Sequence, residues 1–339
     1  METNLSVDNE KPQLFLLSLG YAHPKNIIDN KFIIDLGADT TEQWISEKLG
    51  IHTRRTVLPL SYIQDTKNQD PSKALDVSET TPTDLAFDAA KNALKKAGIS
   101  ADQVGLLICD CCYPNQVSPV ESQRIAEKLG MKGNAYDVLT ACPAFALHVD
   151  YLMNFKSSEL PEYVLAVTTS ALTQTVDYTD RTDPVIWGDG AAAAVFSVKN
   201  PGKLKVLHTS FDADPTRNQA VIVDRYRFFK QDGRAVRDFS VRRTVRMLRE
   251  LEEIFSLDWS KDVFIGHQAN VSMLQQITAN RKIPDSNHWS NAEEYGNQAS
   301  AGAPIVLAMN WHKLVKGQRI VVAVLGAGLS WGSVVFEVV

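Results

Sequence analysis

The sequence has no long hydrophobic run, no excess of basic residues and few cysteines. No apolar stretch reaches the roughly 18 residues that a membrane-spanning helix needs, and the N-terminus does not resemble a secretory signal. We therefore expect a cytoplasmic protein without a membrane span. The net charge of −5 excludes the overall basic field that is typical of nucleic-acid-binding proteins, so we expect no nucleic-acid partner.

The four cysteines lack the CxxC spacing of zinc sites and dithiol redox sites, and we expect neither a metal nor a cofactor. Three of them, Cys109, Cys111 and Cys112, end an apolar run that predicts a buried strand edge. Hydrophobic residues make up 44% of the chain and charged residues 22%. This balance is typical of a globular protein that buries a large core.

Strand-like and helical segments alternate along the chain. The alternation predicts an α/β layered fold with largely parallel strands. The clearest helix is predicted over residues 85–96, because Pro82 and Asp84 open it and Gly98 closes it.

The second half of the chain repeats features of the first half. A glycine turn enters an apolar strand at Gly188 and again at Gly326. A small-residue turn leads into an apolar helix in each half, at Cys142 and at Asn297. If the halves pack as pseudo-twofold mates, these two turns lie near one axis, and His267 at the end of its strand can face them. The alternative is a chance similarity between small-residue turns.

Three residues have side chains suited to nucleophilic catalysis. Cys142 precedes Pro143 and a helical run, and a helix N-terminus lowers the pKa of a thiol. His267 lies where a hydrophobic strand stops, so that one ring nitrogen can face a reacting carbonyl. Asn297 offers a side-chain amide in a turn of small residues. Each residue alone also fits a structural role: a small buried side chain, a structural histidine and a helix cap.

Six motifs, in their order and spacing, resemble those of ketoacyl-ACP synthase III and its relatives, which share the thiolase fold. They are Trp44-Ile45 with Gly50-Ile51-His52-Thr53-Arg54-Arg55, Ala141-Cys142, Gly188-Asp189-Gly190-Ala191, His267-Gln268-Ala269-Asn270, Tyr295-Gly296-Asn297, and Gly326 and Gly328 with Trp331-Gly332-Ser333. The resemblance covers nearly the whole chain after residue 13. It implies two pseudo-twofold-related α/β halves, residues 13–199 and 200–339, in a five-layered αβαβα arrangement.

The resemblance also implies a condensing acyltransferase. Cys142 would take the acyl group from an acyl-CoA or acyl-ACP, and His267 and Asn297 would stabilise the enolate formed from a malonyl or β-ketoacyl thioester. The backbone N–H groups of Cys142 and Ala327 map to the family's other oxyanion hole. Two further side chains, Trp44 and Arg181, match positions that sandwich the adenine of coenzyme A.

Two partners are expected from the same resemblance. Relatives form dimers in which the partner supplies a wall of the acyl pocket, and residues 113–119 match that wall, so we expect a homodimer. The second partner is an acyl carrier protein. Four arginines, Arg242, Arg243, Arg246 and Arg249, lie along an amphipathic stretch, which is either a solvated helix face or a dock for such an acidic partner.

The sequence departs from the family pattern at three places. Pro143-Ala144 follows the cysteine where Ser/Thr-Gly is common, Ala327 replaces the middle glycine of a Gly-Gly-Gly turn, and Ser272 stands where a basic residue is usual. These departures favour a specialised enzyme of a polyketide, pyrone, resorcinol or quinolone pathway over an initiator of fatty-acid synthesis.

Two other functions fit the same scaffold. An acyltransferase would pass the acyl group from Cys142 to a hydroxyl or an amine without forming a C–C bond, and a non-catalytic subunit would only support an active paralogue. The intact Asn297 favours condensation over simple transfer. The presence of Cys142 and His267 disfavours the inactive subunit.

Overall fold

A computed structural model describes residues 11–339. The strands are β1 (Phe15–Ala22), β2 (Asn26–Asp29), β3 (Thr53–Thr56), β4 (Val104–Asp110), β5 (Asn134–Asp137), β6 (Tyr163–Ser170), β7 (Gly190–Ser197), β8 (Leu204–Ala213), β9 (Val221–Ile222), β10 (Lys230–Gln231), β11 (Val263–Gly266), β12 (Arg319–Gly326) and β13 (Ser330–Val338). The α-helices are α1 (Asn30–Asp35), α2 (Glu42–Leu49), α3 (Leu60–Thr66), α4 (Ala74–Val77), α5 (Pro82–Ala97), α6 (Glu121–Leu129), α7 (Ala144–Met153), α8 (Gly233–Phe255), α9 (Val271–Arg281), α10 (Ala292–Tyr295) and α11 (Gly302–Met309).

Nine strands form one mixed sheet in the order β11-β12-β13-β8-β1-β7-β6-β4-β5. The sheet consists of two half-sheets, which meet where β1 pairs with β8. This junction is short, since it consists of the pairs Phe15 with Lys205 and Leu16 with Leu204. The half-sheets have mirrored strand orders, in keeping with the internal repeat in the sequence. The division of the chain into domains at residue 199 stays a prediction.

The expectation of largely parallel strands is wrong. Parallel pairing joins β4 to β5, β4 to β6 and β11 to β12, whereas β1–β7, β1–β8, β6–β7, β12–β13 and β8–β13 pair antiparallel. The reason is visible between β12 and β13, where the chain reverses through the short 3-10 turn at residues 327–329. A parallel connection would need a crossover of a dozen or more residues, such as the segment with α6 between β4 and β5.

Helices on and between the half-sheets complete a five-layered fold. Helices α5 and α6 cover the outer face of the first half-sheet, and α8 and α9 cover that of the second. Helices α7 and α11 lie between the half-sheets and contact both. Both central helices are apolar around most of their circumference, as a helix that is buried on every side requires. The αβαβα arrangement implied by the resemblance is therefore confirmed.

Helix α5 confirms the helix predicted from its end signals. Thr81 caps the N-terminus and forms a capping box with Asp84, and Gly98 ends the helix in a left-handed conformation at φ +71°. Buried alanines along its inner face, among them Ala89 and Ala93, let its backbone approach β1 closely.

The three clustered thiols are mostly buried, as expected. Cys109 and Cys111 are buried and Cys112 is half-buried. However, β4 lies between β5 and β6 rather than at an edge of the sheet, and it ends at Asp110. Only Cys109 is therefore a strand residue, and the other two thiols lie in the loop that follows.

The contact between β1 and α5 gives a test of the packing. A Cβ atom at Gly20 would lie 2.1 Å from the carbonyl oxygen of Ala89 and 2.4 Å from the nitrogen of Ala93. Because both are backbone atoms, the helix itself would have to move. We expect Gly20→Ala to lower the free energy of unfolding by about 1–3 kcal/mol in urea titrations. The control Gly233→Ala, which has no atom within 4 Å of the added carbon, should not lower it, and equal losses in the two variants would contradict this account.

Candidate active site

A cavity of about 180 Å³ is lined by Cys142, His267 and Asn297 together. These residues are far apart in the sequence and belong to both halves of the fold. The rest of the lining is largely apolar and includes Leu49, Ile186, Trp187, Val221, Phe229, Val236, Met273 and Leu325. The structure thus brings together the three side chains that the pseudo-twofold interpretation places near one axis.

Cys142 lies in the turn between β5 and α7. The residue before it, Ala141, has a left-handed backbone at φ +59°, and the residue after it, Pro143, is the N-cap of α7. The helix begins at Ala144, so the proline precedes the first helical turn instead of belonging to it as the sequence indicated. The half-buried Cys142 side chain packs against the apolar cluster that contains Leu172.

The acidity of Cys142 differs from the expectation based on its place before a helix. Burial raises the pKa of its thiol to about 12, and the Asp110 carboxyl acts in the same direction. A helix N-terminus favours the thiolate, but removal from water beside an acidic group outweighs that effect here. The thiol is therefore protonated at neutral pH, and its attack on a carbonyl requires a base.

His267 follows β11 directly and is only 7% exposed. Burial lowers the pKa of its imidazole to about 4, so the ring is neutral at physiological pH. A neutral imidazole has one N–H donor and one acceptor nitrogen. It can therefore accept a proton from a thiol or donate a hydrogen bond to a developing oxyanion.

Asn297 is held by the backbone of the segment before β7. Its N–H donates to the carbonyl oxygen of Ile186 at 2.8 Å, and its own carbonyl oxygen accepts from the N–H of Gly188 at 3.0 Å. Its side-chain Oδ1 accepts the N–H of Ala299 at 3.0 Å. Since the oxygen end of the amide is occupied, the Nδ2 donors remain for a group in the cavity. A local capping bond and a donor function are thus compatible.

The turn after β12 touches the turn that carries Cys142, the candidate nucleophile (residues 140–142, the nucleophile turn). A Cβ atom at Gly326 would lie 2.6 Å from Cβ of Cys142 and 2.9 Å from Cδ of Pro143, so glycine alone permits this approach. Ala327 also lines the cavity. Its φ is not positive, whereas Gly328 has φ +124°. Alanine at position 327, where the family pattern has glycine, therefore introduces no left-handed strain.

Trp44 and Arg181, which the resemblance assigns to adenine binding, lie together. The guanidinium carbon of Arg181 is 5.6 Å from the centroid of the Trp44 ring. Trp44 lines a second cavity of about 410 Å³, whose walls share Leu49, Ile186 and Phe229 with the first. The two cavities are therefore neighbours that share part of their walls. Because the guanidinium and the ring contact each other, an adenine can lie between them only after they separate.

Two acidic features of the site were not anticipated from the sequence. Burial raises the pKa of Asp183, in the second cavity, to about 7, and Asp180 and Asp177 act in the same direction. Asp110 is fully buried beside the nucleophile turn. The only signal for Asp110 in the sequence was a charged residue within an apolar run.

The four arginines of the predicted docking stretch lie on α8 and differ in environment. The guanidinium carbon of Arg243 is 3.6 Å from the centroid of the Trp331 ring, so this arginine has a packing role. Arg246 forms an ion pair within the helix. Arg242 and Arg249 are exposed, and among residues 11–339 neither is in an ion pair. These two side chains are the ones available to an acidic partner.

Helices that are both long and apolar enough to cross a membrane are absent from residues 11–339. In the same part of the chain, no cluster of three or more His, Cys, Asp or Glu side chains is placed to hold a metal ion.

Comparison with known families gives matches over both halves. The sequence model described as 3-oxoacyl-[acyl-carrier-protein (ACP)] synthase III matches residues 136–215, and the one described as its C terminal matches residues 260–338. The first range contains Cys142, and the second contains His267 and Asn297. The β-ketoacyl-[acyl-carrier-protein] synthase III of Aquifex aeolicus is 29% identical over 326 residues, which cover 95% of this chain and 98% of that protein.

Solved structures agree with these matches. The 3-oxoacyl-[acyl-carrier-protein] synthase III of Aquifex aeolicus has a TM-score of 0.84 at 27% identity and covers 96% of this chain and 99% of its own. The priming β-ketosynthase of a polyketide biosynthetic pathway has a TM-score of 0.81 at 24% identity over 97% of each chain, which shows a shared fold. Together, the family models in both halves, the relatives over nearly the full length and the five-layered fold show that the chain is a condensing acyltransferase of the thiolase superfamily and is similar to 3-oxoacyl-[acyl-carrier-protein] synthase III.

Proposed function

We propose that this condensing enzyme works through Cys142, His267 and Asn297. In the first half-reaction Sγ of Cys142 attacks the carbonyl carbon of an acyl thioester. The new S–C bond forms, the donor thiol leaves, and the acyl group stays on the cysteine. The observation that carries the proposal is that these three side chains line one largely apolar cavity.

Cys142 and His267 are both neutral before a substrate binds, because burial raises the thiol pKa and lowers the imidazole pKa. These shifts oppose a proton transfer between the two free side chains, so the transfer must accompany formation of the S–C bond. The imidazole takes the thiol proton as the S–C bond forms and returns it to the leaving thiolate. Backbone N–H groups of Cys142 and Ala327 donate to the carbonyl oxygen as it becomes negative.

In the second half-reaction, a malonyl thioester loses carbon dioxide and becomes an enolate. The Nδ2 of Asn297 and the N–H of His267 donate to the enolate oxygen, where the negative charge develops. The enolate carbon attacks the acyl carbonyl, the S–C bond to Cys142 breaks, the cysteine takes up a proton from solvent, and a β-ketoacyl thioester forms. With a β-ketoacyl thioester as the second substrate, the enolate forms by loss of its α-proton to a base and not by loss of carbon dioxide.

The substrates arrive as thioesters of coenzyme A or of an acyl carrier protein. The cavity beside Trp44, which shares walls with the cavity of Cys142, supports binding of a pantetheine-like arm there. The name of the Aquifex aeolicus relative refers to an acyl carrier protein. Exposed Arg242 and Arg249 on α8 offer positive charge to an acidic carrier protein.

A specialised product fits the sequence better than the first step of fatty-acid synthesis. Pro143-Ala144 and Ala327, which replace the family's usual residues, lie around the nucleophile, and Ser272 replaces a basic residue on α9. The alternative function is acyl transfer to a hydroxyl or an amine. Release of carbon dioxide from a malonyl thioester separates the two, because condensation requires it and simple transfer does not.

The first test concerns the nucleophile. We expect intact-mass measurement to show one acyl adduct after incubation with a suitable acyl-CoA, and peptide mapping to place it on Cys142. Cys142→Ala should lose both the adduct and turnover while retaining its circular dichroism spectrum, whereas Cys112→Ala should still carry the adduct on Cys142. An acyl group on Cys109, Cys111 or Cys112, or turnover by Cys142→Ala, would refute the mechanism.

The second test separates the half-reactions. We expect Asn297→Ala to become acylated at Cys142 but to lose decarboxylation of malonyl thioester by roughly 10²–10³, the usual effect of removing one such donor. Asn287→Ala, which removes a half-buried asparagine outside the cavity, is the matched control and should decarboxylate normally. An unchanged rate in Asn297→Ala would leave Asn297 with a capping role alone.

The third test concerns a homodimer, which we propose with residues 113–119 at its interface. Val117, Leu139 and Tyr226 are 71%, 52% and 52% exposed, and the Arg225 guanidinium donates to the carbonyl oxygen of Pro114 at 2.8 Å, which ties this loop to its neighbour. Such exposed apolar groups mark association surfaces. Light scattering should give twice the monomer mass of 37.6 kDa, and Val117→Asp should reduce it. A monomer at micromolar concentration would exclude the dimer.

A further inference from the structure

Asp110 is a fully buried carboxyl at the end of β4. This strand lies inside the sheet, between β5 and β6, and among residues 11–339 no cation forms an ion pair with Asp110. A buried carboxylate without a cation is costly unless hydrogen bonds stabilise it. Its position therefore calls for an explanation in terms of the groups that it contacts.

The hydrogen bonds of Asp110 are directed at the nucleophile turn. Its Oδ1 accepts the N–H of Thr140 at 2.9 Å and the N–H of Ala141 at 3.0 Å. The latter residue has φ +59°, a left-handed conformation that costs a non-glycine residue roughly 1–2 kcal/mol. The next residue is Cys142. Asp110 thus binds the two peptide groups whose conformation determines where the thiol points.

The other oxygen of Asp110, Oδ2, makes no hydrogen bond of regular geometry with the described residues. Burial raises the pKa of this carboxyl to about 7, although the backbone N–H groups of Thr140 and Ala141 and the nearby Ser300 hydroxyl act in the opposite direction. The Asp137 carboxyl acts in the same direction as burial on the pKa of Asp110. Asp110 in turn acts to raise the pKa of four thiols, those of Cys109, Cys111, Cys112 and Cys142. When ionised, Asp110 opposes formation of the Cys142 thiolate.

We propose that Asp110 is a positioning residue for the nucleophile, whose carboxylate holds the turn of Thr140, Ala141 and Cys142 in shape and restrains the reactivity of the thiol. The inference rests on the proposed role of Cys142. The turn is held by the two backbone hydrogen bonds, and the negative charge keeps the thiol protonated until a thioester and the imidazole of His267 take part. The cysteine is thereby placed for attack and is unreactive towards other electrophiles.

Asp110→Asn separates the charge from the hydrogen bonds. The amide oxygen can still accept from Thr140 and Ala141, and the amide nitrogen replaces Oδ2. The measurement is the rate of Cys142 alkylation by iodoacetamide between pH 6 and pH 9, followed by peptide mapping. Near pH 6, where wild-type Asp110 is mostly protonated, the variant and the wild type should react at similar rates. Above pH 8 the variant should react about tenfold faster, because it lacks the negative carboxylate that disfavours the Cys142 thiolate.

Asp189→Asn is the matched control for this experiment. Asp189 is also fully buried, its pKa is also raised to about 7, and it also accepts two backbone N–H groups, from Val57 and Thr173. It does not line the cavity with Cys142. Its substitution should leave the alkylation profile of Cys142 unchanged. A ratio of rates between Asp110→Asn and wild type that stays flat from pH 6 to pH 9 overturns the proposal.

Asp110→Ala tests the positioning directly, because it removes both acceptors. We expect the rate constant for acylation of Cys142 to fall by about 10²-fold, as misplacement by roughly 1 Å can do, with KM for the acyl thioester within twofold of wild type and with Asp110→Asn restoring most of the rate. An acylation rate equal to wild type overturns the proposal. If Asp110→Ala does not fold, the profile of Asp110→Asn decides alone.

Failure of the catalytic mechanism gives a different result. If wild-type Cys142 does not become acylated, the proposed function fails, but the alkylation profiles still measure the influence of Asp110 on Cys142, since iodoacetamide needs no catalytic turnover.

Discussion

The burial of two apolar helices, α7 and α11, between the half-sheets is the constraint on which the active site depends. Neither helix has a polar face that could contact solvent, so each must lie in the central layer over its whole length. The turns that lead into them are fixed with them, and these turns carry Cys142 and Asn297. Glycine at position 326 then lets the second half-sheet approach the nucleophile turn to within contact. The geometry of the site is therefore a property of the core and not of mobile loops.

The same burial decides the charge of the site. Low-dielectric surroundings disfavour every ionised form, which is why the pKa of Cys142 rises while that of His267 falls. A thiolate and an imidazolium would place two charges in a largely apolar cavity, and a neutral thiol with a neutral imidazole avoids this. In the proposed mechanism, negative charge develops on a substrate oxygen, to which the amide of Asn297 and the backbone N–H groups would donate.

Local signals in the sequence predicted local structure well. The helix α5 followed from Pro82, Asp84 and Gly98, whose capping chemistry acts within one turn of the chain, although the helix begins at Pro82, three residues before the predicted start. The internal repeat predicted that the turns of Cys142 and Asn297 meet, because two copies of one unit place equivalent turns together. Their catalytic roles remain predictions. The antiparallel pairs were not predicted, since the alternation of helices and strands does not show which strands lack a crossover between them.

Long-range contacts account for what the sequence did not show. The acidity of Cys142 depends first on its burial and then on Asp110, which lies about thirty residues earlier in the chain and accepts hydrogen bonds from the backbone of Thr140 and Ala141. A helix N-terminus is visible in the sequence, but a buried carboxyl beside it is not. Similarly, the four arginines of α8 look alike in the sequence, but Arg243 packs on the Trp331 ring. This arginine therefore contributes to the fold and is not available to a partner.

The positions of the departures from the family pattern bear on which acyl substrate the enzyme accepts. Pro143 and Ala327 lie at the two contacting turns around Cys142, the residue proposed to receive the acyl group. The motifs that contain His267 and Asn297 match the family pattern, and these residues are proposed to act on the enolate of the second substrate. An enolate presents the same oxygen whatever acyl group it attacks, so its donors can stay the same among enzymes with different products. The surroundings of the nucleophile must instead fit the acyl group, and substitutions concentrated there are those expected of an enzyme with a different acyl substrate and the same condensation chemistry.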